Sequence, residues 1–261
     1  MRRRILVTML IIPVMIGLNV GCGQAKKKQE KQQTQLQSQS LEITKSYEAL
    51  VAARKKVADE KAALEELKKI RKHKLTAEQK QQLSQLPGQI KADEQDVANK
   101  YDDVQTKLAT FLNFALNNAP KAPETAAALK IYSDEAINNA ETAIREAGDY
   151  KKAIETLQTA VGYYESAGLT PYKLLKDKMK LYDQMQYITK DRFDAVKKDM
   201  TEDEVCQTAG YPYYMNKKHE KGIDFWMYPR RDGGAAAIYF NRHHTVYSKR
   251  WNAVKPQVKK D

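Results

Sequence analysis

The sequence has few of the residues that hold small domains together through covalent or metal cross-links. Its 261 residues include two cysteines and four histidines, which excludes a disulfide framework and argues against a multi-ligand zinc site. Glycine (11) and proline (8) are scarce, so a large β-barrel with many turns is excluded. Hydrophobic residues make up 42% of the chain, which is too many for a fully disordered protein. What remains is a folded chain of one large domain or two small ones.

A long apolar run at the N-terminus predicts an export signal. Arginines at positions 2–4 precede an apolar stretch at 5–20, which is shorter than the roughly 20 residues that span a membrane. The stretch ends in Leu-Asn-Val-Gly-Cys at 18–22, which resembles a bacterial lipoprotein signal. That resemblance implies cleavage of residues 1–21 and lipid attachment at Cys22, through which the mature chain would be anchored. An uncleaved membrane anchor and a buried or incidental cysteine are the alternatives.

The formal net charge of +12 suggests an anionic partner, so the position of the charge matters. Cleavage of the signal would remove three of the arginines. Residues 22–40 are rich in glutamine and lysine and poor in apolar residues, which predicts a flexible tether. Its lysines either contact anionic lipid head groups or keep the spacer soluble. The other basic residues are spread along helix faces and have acidic neighbours, which favours membrane proximity and solubility over nucleic-acid binding, and no nucleic-acid partner is expected.

Residues 41–118 carry two apolar stripes with helical spacing. Leu50, Val57 and Leu64 are seven residues apart, and a second stripe runs from Ile90 to Ala115. Between them, Thr76 and Gln79 have the spacing of a capping box for a short helix that Pro87-Gly88 would close. The pattern predicts an antiparallel helical hairpin or coiled-coil arm, with dimerisation through the seam as an alternative.

Residues 119–187 continue the helical pattern after a boundary that contains Pro120 and Pro123. The run Gly148-Asp149-Tyr150, followed by Ala153 and Ala160, resembles the turn and the small packing residues of one tetratricopeptide repeat. One such repeat is not stable by itself. We therefore expect this helix pair to pack against the neighbouring helices.

Residues 188–254 have the pattern of a small α+β domain. Thr201 and Glu204 form a second capping-box pattern, and Gly210-Tyr211-Pro212 ends the short helix. Strand composition follows at 224–228, 235–240 and 245–251, with turn residues between, which predicts a three-stranded antiparallel meander. Residues 255–261 are assigned to a tail. The predicted fold class is thus α+β and mostly helical, with this small domain at the C-terminus.

The order of these motifs resembles the SmpA/OmlA family, also called BamE, the small lipoproteins of the outer-membrane β-barrel assembly machinery. The resemblance rests on the following segments: Met200-Thr201, Glu204-Val205, Gly210-Tyr211-Pro212, Trp226-Met227-Tyr228 and Ile238-Tyr239-Phe240. It implies two short helices against a three-stranded sheet. It also implies a position at the outer membrane facing the periplasm and a link to outer-membrane protein assembly.

The sequence contains no pattern that predicts catalysis, a metal site or a cofactor. His243 and His244 are adjacent, so on a strand they would point to opposite faces, and a turn or surface position is expected for them. Cys206 lacks a partner histidine in any motif and is interpreted as a small apolar helix residue. We therefore expect a protein that is not an enzyme.

Aromatic and arginine residues of the C-terminal region form the candidate interaction surface, because both types are favoured at interfaces. The candidate residues are Tyr213, Tyr214, Trp226, Tyr228, Arg230 and Arg231. Strand alternation sends Trp226 and Tyr228 to one face, and packing in the core is the alternative for that pair. The sequence favours a lipid-anchored scaffold or adaptor with envelope protein partners. The alternative is a binding module for anionic lipid or cell-wall polymer.

Overall fold

The computed structural model describes residues 22–220 and 222–253, so the predicted signal at 1–21 and the tail at 255–261 lie outside the described residues. The fold is α+β and mostly helical, as predicted, but its sheet has four strands rather than three. Among the described residues, no helix combines the length and apolarity that crossing a membrane requires. The elements are α1 Cys22–Lys69, α2 Ala77–Asn118, α3 Pro123–Ala147, α4 Tyr150–Ala167, α5 Lys173–Met185, α6 Lys190–Ala195, α7 Glu202–Ala209, β1 Lys217–Glu220, β2 Ile223–Pro229, β3 Ala235–Phe240 and β4 Val246–Ala253.

The prediction of a flexible tether at 22–40 is wrong, because α1 begins at Cys22 and includes this segment. Glutamine and lysine are good helix formers, so the segment needs only modest packing to become helical. Leu36 supplies that packing, since it is buried and lies seven residues before Ile43, which is also buried. The apolar stripe of the arm therefore begins earlier than its composition indicated.

Helices α1 and α2 pair antiparallel and form the arm, as the two stripes predict. The capping box at Thr76 and Gln79 is present at the start of α2. The predicted stop at Pro87-Gly88 is wrong, because α2 continues through both residues to Asn118. A proline inside a helix costs a hydrogen bond. Burial of Ile90 against the paired arm offsets that loss.

Helix α3 packs on the inner half of the arm, α4 packs on α3, and α5 packs mainly on α4, so that the three helices share one core with the arm. Ala153 and Ala160 are fully buried, so α3 and α4 approach closely. Arg54 of α1 donates two hydrogen bonds, of 2.5 and 2.8 Å, to the buried carboxylate of Glu135 on α3. This pair fixes the point at which α3 lies against the arm.

The C-terminal domain places α6 and α7 on one face of the antiparallel sheet β1-β2-β3-β4. Trp226, Ile238 and Phe240 lie on that inner face and are buried with Val205 of α7. The capping box of Thr201 and Glu204 starts α7. The additional strand β1 has the sequence Lys-Lys-His-Glu, whose polarity resembles that of a loop. It is a strand because each of its four residues pairs antiparallel with a residue of β2.

Candidate functional site

The turn between α3 and α4 meets the C-terminal domain at a very close backbone approach. Gly148 has a left-handed backbone, with φ of 60°, and a Cβ added there would lie 2.1 Å from the carbonyl oxygen of Pro212. No side chain fits that space. The Gly-Asp-Tyr turn therefore has a second role that its sequence did not reveal, which is contact between the helical part and the C-terminal domain.

Two tyrosine hydroxyls bind backbone groups beside this glycine. That of Tyr150 joins the two parts, and that of Tyr228 forms its bond within the C-terminal domain. The Tyr150 hydroxyl accepts a 3.1 Å hydrogen bond from the backbone N–H of Tyr211. The Tyr228 hydroxyl donates at 3.1 Å to the carbonyl of Gly210. Burial raises the pKa of both Tyr150 and Tyr228, so both hydroxyls stay protonated at neutral pH.

Arg192 of α6 closes the same junction from the other side. Its guanidinium donates hydrogen bonds to the carbonyls of Gln184, Tyr187 and Ala209. Burial lowers the pKa of Arg192 from its usual value, but the group remains a cation that is satisfied by carbonyl dipoles. The junction is thus built from directed hydrogen bonds, which fix one relative position of the two parts.

A cleft of about 440 Å³ opens at this junction. Such a volume lies within the range of small-ligand and peptide pockets, which occur preferentially between domains. Its walls combine aromatic rings and prolines with a few polar groups, namely Gly148, Asp149, Tyr150, Lys151, Gln186, Tyr211, Pro212, Tyr213, Asn216, Tyr228 and Pro229. Next to it, Tyr213, Tyr214 and Met215 are exposed, and the two tyrosine rings stack edge to face.

The structure separates the six predicted interaction residues into two groups. Trp226 and Tyr228 are buried in the domain core, so Trp226 has no exposed interaction surface and Tyr228 only borders the cleft. Arg230 is mostly covered, because its guanidinium stacks on Trp251, with its central carbon 4.5 Å from the ring centroid, and pairs with Asp232.

Tyr213, Tyr214 and Arg231 are the exposed members of the prediction. Arg231 donates to Asp183 of α5 at 2.9 Å, so it bridges the two parts of the molecule. Sequence reasoning missed Tyr150, Tyr211 and Asn216 of the cleft. Of these, Tyr150 could have been found from the Gly-Asp-Tyr turn.

The cysteine of the C-terminal domain is buried, and two of its histidines lie next to carboxylates. Cys206 is buried, and burial raises the pKa of its thiol to about 11, so the thiolate is scarce at neutral pH. His219 and His244 are exposed and lie 2.7 Å from Asp224 and 2.9 Å from Glu202, respectively. Among residues 22–220 and 222–253, no group of three or more histidine, cysteine or acidic side chains is arranged to hold a metal ion.

Comparison of the chain with protein-family models, with curated proteins and with solved structures found no significant match. Function must therefore be argued from the geometry of the junction and from the sequence.

Proposed function

We propose that the protein is a lipid-anchored, non-enzymatic scaffold or adaptor of the bacterial cell envelope, attached at Cys22 and facing the periplasm from the outer membrane. Outer-membrane protein assembly, or envelope integrity more broadly, is the process we propose for it, on the basis of the SmpA/OmlA resemblance. The junction cleft, with its exposed rim at Tyr213 and Tyr214, is the surface on which a protein partner docks.

The observation that carries this proposal is the position of Cys22. It is the first residue of α1, a helix of 48 residues that continues into the packed core without a break. At 1.5 Å per residue, such a helix is about 70 Å long. A lipid at Cys22 would thus be joined to a stiff element rather than to a loose spacer, and the docking surface would be held at a set distance from the membrane.

The composition of the rim supports a protein partner. Tyrosine, methionine and arginine are enriched at protein interfaces, and large aromatic side chains next to a pocket contribute most of the binding energy there. Tyr214 and Met215 are both more than half exposed and have no part in either core cluster. Together with Tyr213 they form adjacent exposed apolar surface next to the cleft, which is consistent with a contact surface.

The anchor is tested by metabolic labelling with a radioactive fatty acid. Label is expected on the natural protein and on Cys206→Ala, which keeps Cys22. It is expected to be absent from Cys22→Ala. Equal labelling of the natural protein and Cys22→Ala would show that the lipid is not attached at this cysteine. Absence of label from all three proteins would contradict a lipid anchor altogether.

The docking surface is tested by affinity purification from solubilised membranes. The natural protein should recover a defined set of envelope proteins, and the double variant Tyr213→Ala/Tyr214→Ala should lose at least tenfold of that recovery. Leu181→Ala, which removes another exposed apolar side chain away from the cleft, is the matched control and should recover the same set. Recovery of no defined partner by the natural protein would contradict the scaffold role.

A further inference from the structure

The outer face of the sheet, opposite α6 and α7, carries a row of aromatic rings that the domain core does not use. Phe225, Tyr239 and Tyr247 lie on β2, β3 and β4, with ring centroids 5.5 and 6.2 Å apart. Tyr247 is 41% exposed, and the other two are half-buried. None of the three belongs to the cluster that packs against the helices. We call these three residues the aromatic row.

Strand register and one irregularity bring the rings together. Phe225 pairs directly with Tyr239, and Tyr239 pairs with Ser248. The register between β3 and β4 shifts between Tyr239 and Phe240, which leaves Tyr247 as an extra residue on β4. A bulge of this kind re-aims a side chain, and here it brings the Tyr247 ring to the same face as Tyr239. The row is therefore a product of tertiary pairing.

Positive charge frames the aromatic row. Lys218 pairs with Phe225 from β1, and Arg250 on β4 pairs with Ala237, which places both on the outer face by strand register. Arg242 lies in the exposed loop between β3 and β4. Within the described part of the chain, none of these three cations has an ion pair or a side-chain hydrogen bond.

Acidic residues of the domain lie mostly elsewhere. Asp224 alternates with Phe225, so it belongs to the inner side of β2, where it contacts His219. Glu202, Asp203 and Glu204 lie at the start of α7. Glu220, at the hairpin end of β1, is the acidic residue that shares the face with Lys218. The exposed part of the outer face is thus aromatic with mainly cationic residues around it, while Met227 and Ala237, which pair on the same face, are buried.

Size and charge decide between possible occupants. Three strand spacings by about six residues give a face of about 14 by 20 Å, or roughly 300 Å² on each partner. That total is well below the 1,200 Å² or more of stable interfaces, and two cationic faces repel each other, so a second copy of this chain does not fit. A short anionic segment fits both constraints.

We propose that this face binds a short, extended, acidic segment of a partner protein, with its carboxylates on Lys218, Arg242 and Arg250 and its apolar side chains on the aromatic row. Arginine and tyrosine together are typical of binding hot spots, which favours a protein segment. The site is separate from the junction cleft, so the proposal goes beyond the scaffold role and does not depend on the lipid at Cys22.

The experiment uses the chain from residue 22 onward with Cys22→Ala, which includes every described residue. The probe is a 12-residue peptide with four glutamates at each end and four leucines in the middle, so that both residue types reach the same face of the sheet. Titration calorimetry measures its binding. We expect saturable binding that weakens at least fivefold between 50 and 300 mM salt, because the contacts are largely ionic. The same peptide with lysine in place of glutamate should not bind.

Two variants locate the site. Lys218→Glu/Arg250→Glu should weaken peptide binding at least tenfold, and Tyr247→Ser should weaken it several-fold. The matched control is Lys55→Glu/Lys91→Glu, which makes the same change in net charge on exposed residues of the arm and should bind as the unsubstituted chain does. Circular dichroism of each variant checks that the fold is kept, as expected for positions that are exposed or, for Lys218, half-buried.

Three outcomes overturn the proposal: no binding of the glutamate peptide at millimolar concentration, equal binding of the lysine peptide, or equal loss in the arm control. Vesicles containing phosphatidylglycerol are titrated in parallel. Binding of these vesicles without binding of the peptide replaces the protein segment with a lipid surface. The fatty-acid labelling and the affinity purification are separate measurements, so failure of this proposal leaves the scaffold role standing, and the reverse also holds.

Discussion

The outer half of the arm, residues 57–69 of α1 and 77–94 of α2, and the C-terminal domain bury their apolar side chains to different extents. In the outer arm, Val57, Leu67 and Ile90 each keep 7 to 9% of their surface exposed. In the C-terminal domain, Val205 and Ile238 keep none. Two helices alone form a seam that water reaches from both sides, whereas a sheet covered by helices encloses its core. We therefore expect local unfolding of the outer arm to cost less free energy than unfolding of the C-terminal domain.

Burial also differs along the arm itself, and contact with α3, rather than the sequence of the α1–α2 seam, accounts for that difference. Leu50 and Val57 occupy equivalent positions seven residues apart, yet Leu50 is fully buried and Val57 is not. Leu50 shares its core with α3, which lies against the inner arm near Arg54 and Glu135. The same stripe thus gives a tight core where α3 covers it and a loose seam beyond that point.

The largest effect is expected from Phe240→Ala in the C-terminal core. Removing this buried ring should lower the free energy of unfolding by about 3–5 kcal/mol. Val57→Ala in the outer arm removes two carbon atoms from a looser site and should cost about 1–2 kcal/mol. Urea denaturation of both variants, followed by tryptophan fluorescence and circular dichroism, measures the difference. Val205→Ala, which removes the same two carbon atoms from a fully buried site, is the matched comparison for Val57→Ala, and equal losses in these two variants would contradict the contrast between the regions.

Gly148→Ala should have the next largest effect, because it lies where the α3–α4 turn contacts the C-terminal domain. The alanine Cβ would meet the Pro212 carbonyl, and a left-handed backbone disfavours it further, so a loss of about 2–4 kcal/mol is expected. Amide hydrogen exchange should show faster exchange at residues 210–216 while the arm is unchanged. Gly162→Ala is the control, since a Cβ there has open space inside α4, and it should be neutral or slightly stabilising.

Thr76→Ala is expected to loosen the arm tip by about 1 kcal/mol, because it removes the side-chain cap of α2. Thr76→Ser keeps an oxygen that accepts from the Gln79 backbone N–H, so it should behave like the natural chain. Hydrogen exchange at residues 77–82 measures the change. Unchanged protection in Thr76→Ala would show that packing, rather than capping, fixes the start of α2.

Lys61→Ala should have the smallest effect. Lys61 and Glu94 form a 2.7 Å ion pair across the arm, but both side chains are about half exposed, and such pairs contribute less than about 1 kcal/mol. We expect a loss below about 0.5 kcal/mol that disappears in high salt. Thermal unfolding at two salt concentrations tests this. A loss comparable to that of Val57→Ala would mean that charge, rather than the apolar seam, holds the outer arm.

Local signals in the sequence were reliable where one short segment sets the structure. Both capping boxes formed, Ala153 and Ala160 became a close helix contact, and Trp226 and Tyr228 share one face. Segments whose state depends on a distant partner were predicted wrongly. Residues 22–40 are helical, Pro87 lies within a helix, and β1 is a strand. In each case packing or pairing with another element offsets a weak local preference.

The sequence by itself determined the helical arm, the α+β end and the candidate lipid signal, because periodicity, caps and composition act over a few turns. Only the tertiary structure decided which aromatic residues are available for contact. It buried Trp226, opened a cleft beside Gly148 and, through a bulge, aligned Tyr247 with Tyr239. The physical reason is that exposure depends on the elements that lie against a residue, and those elements come from distant parts of the chain.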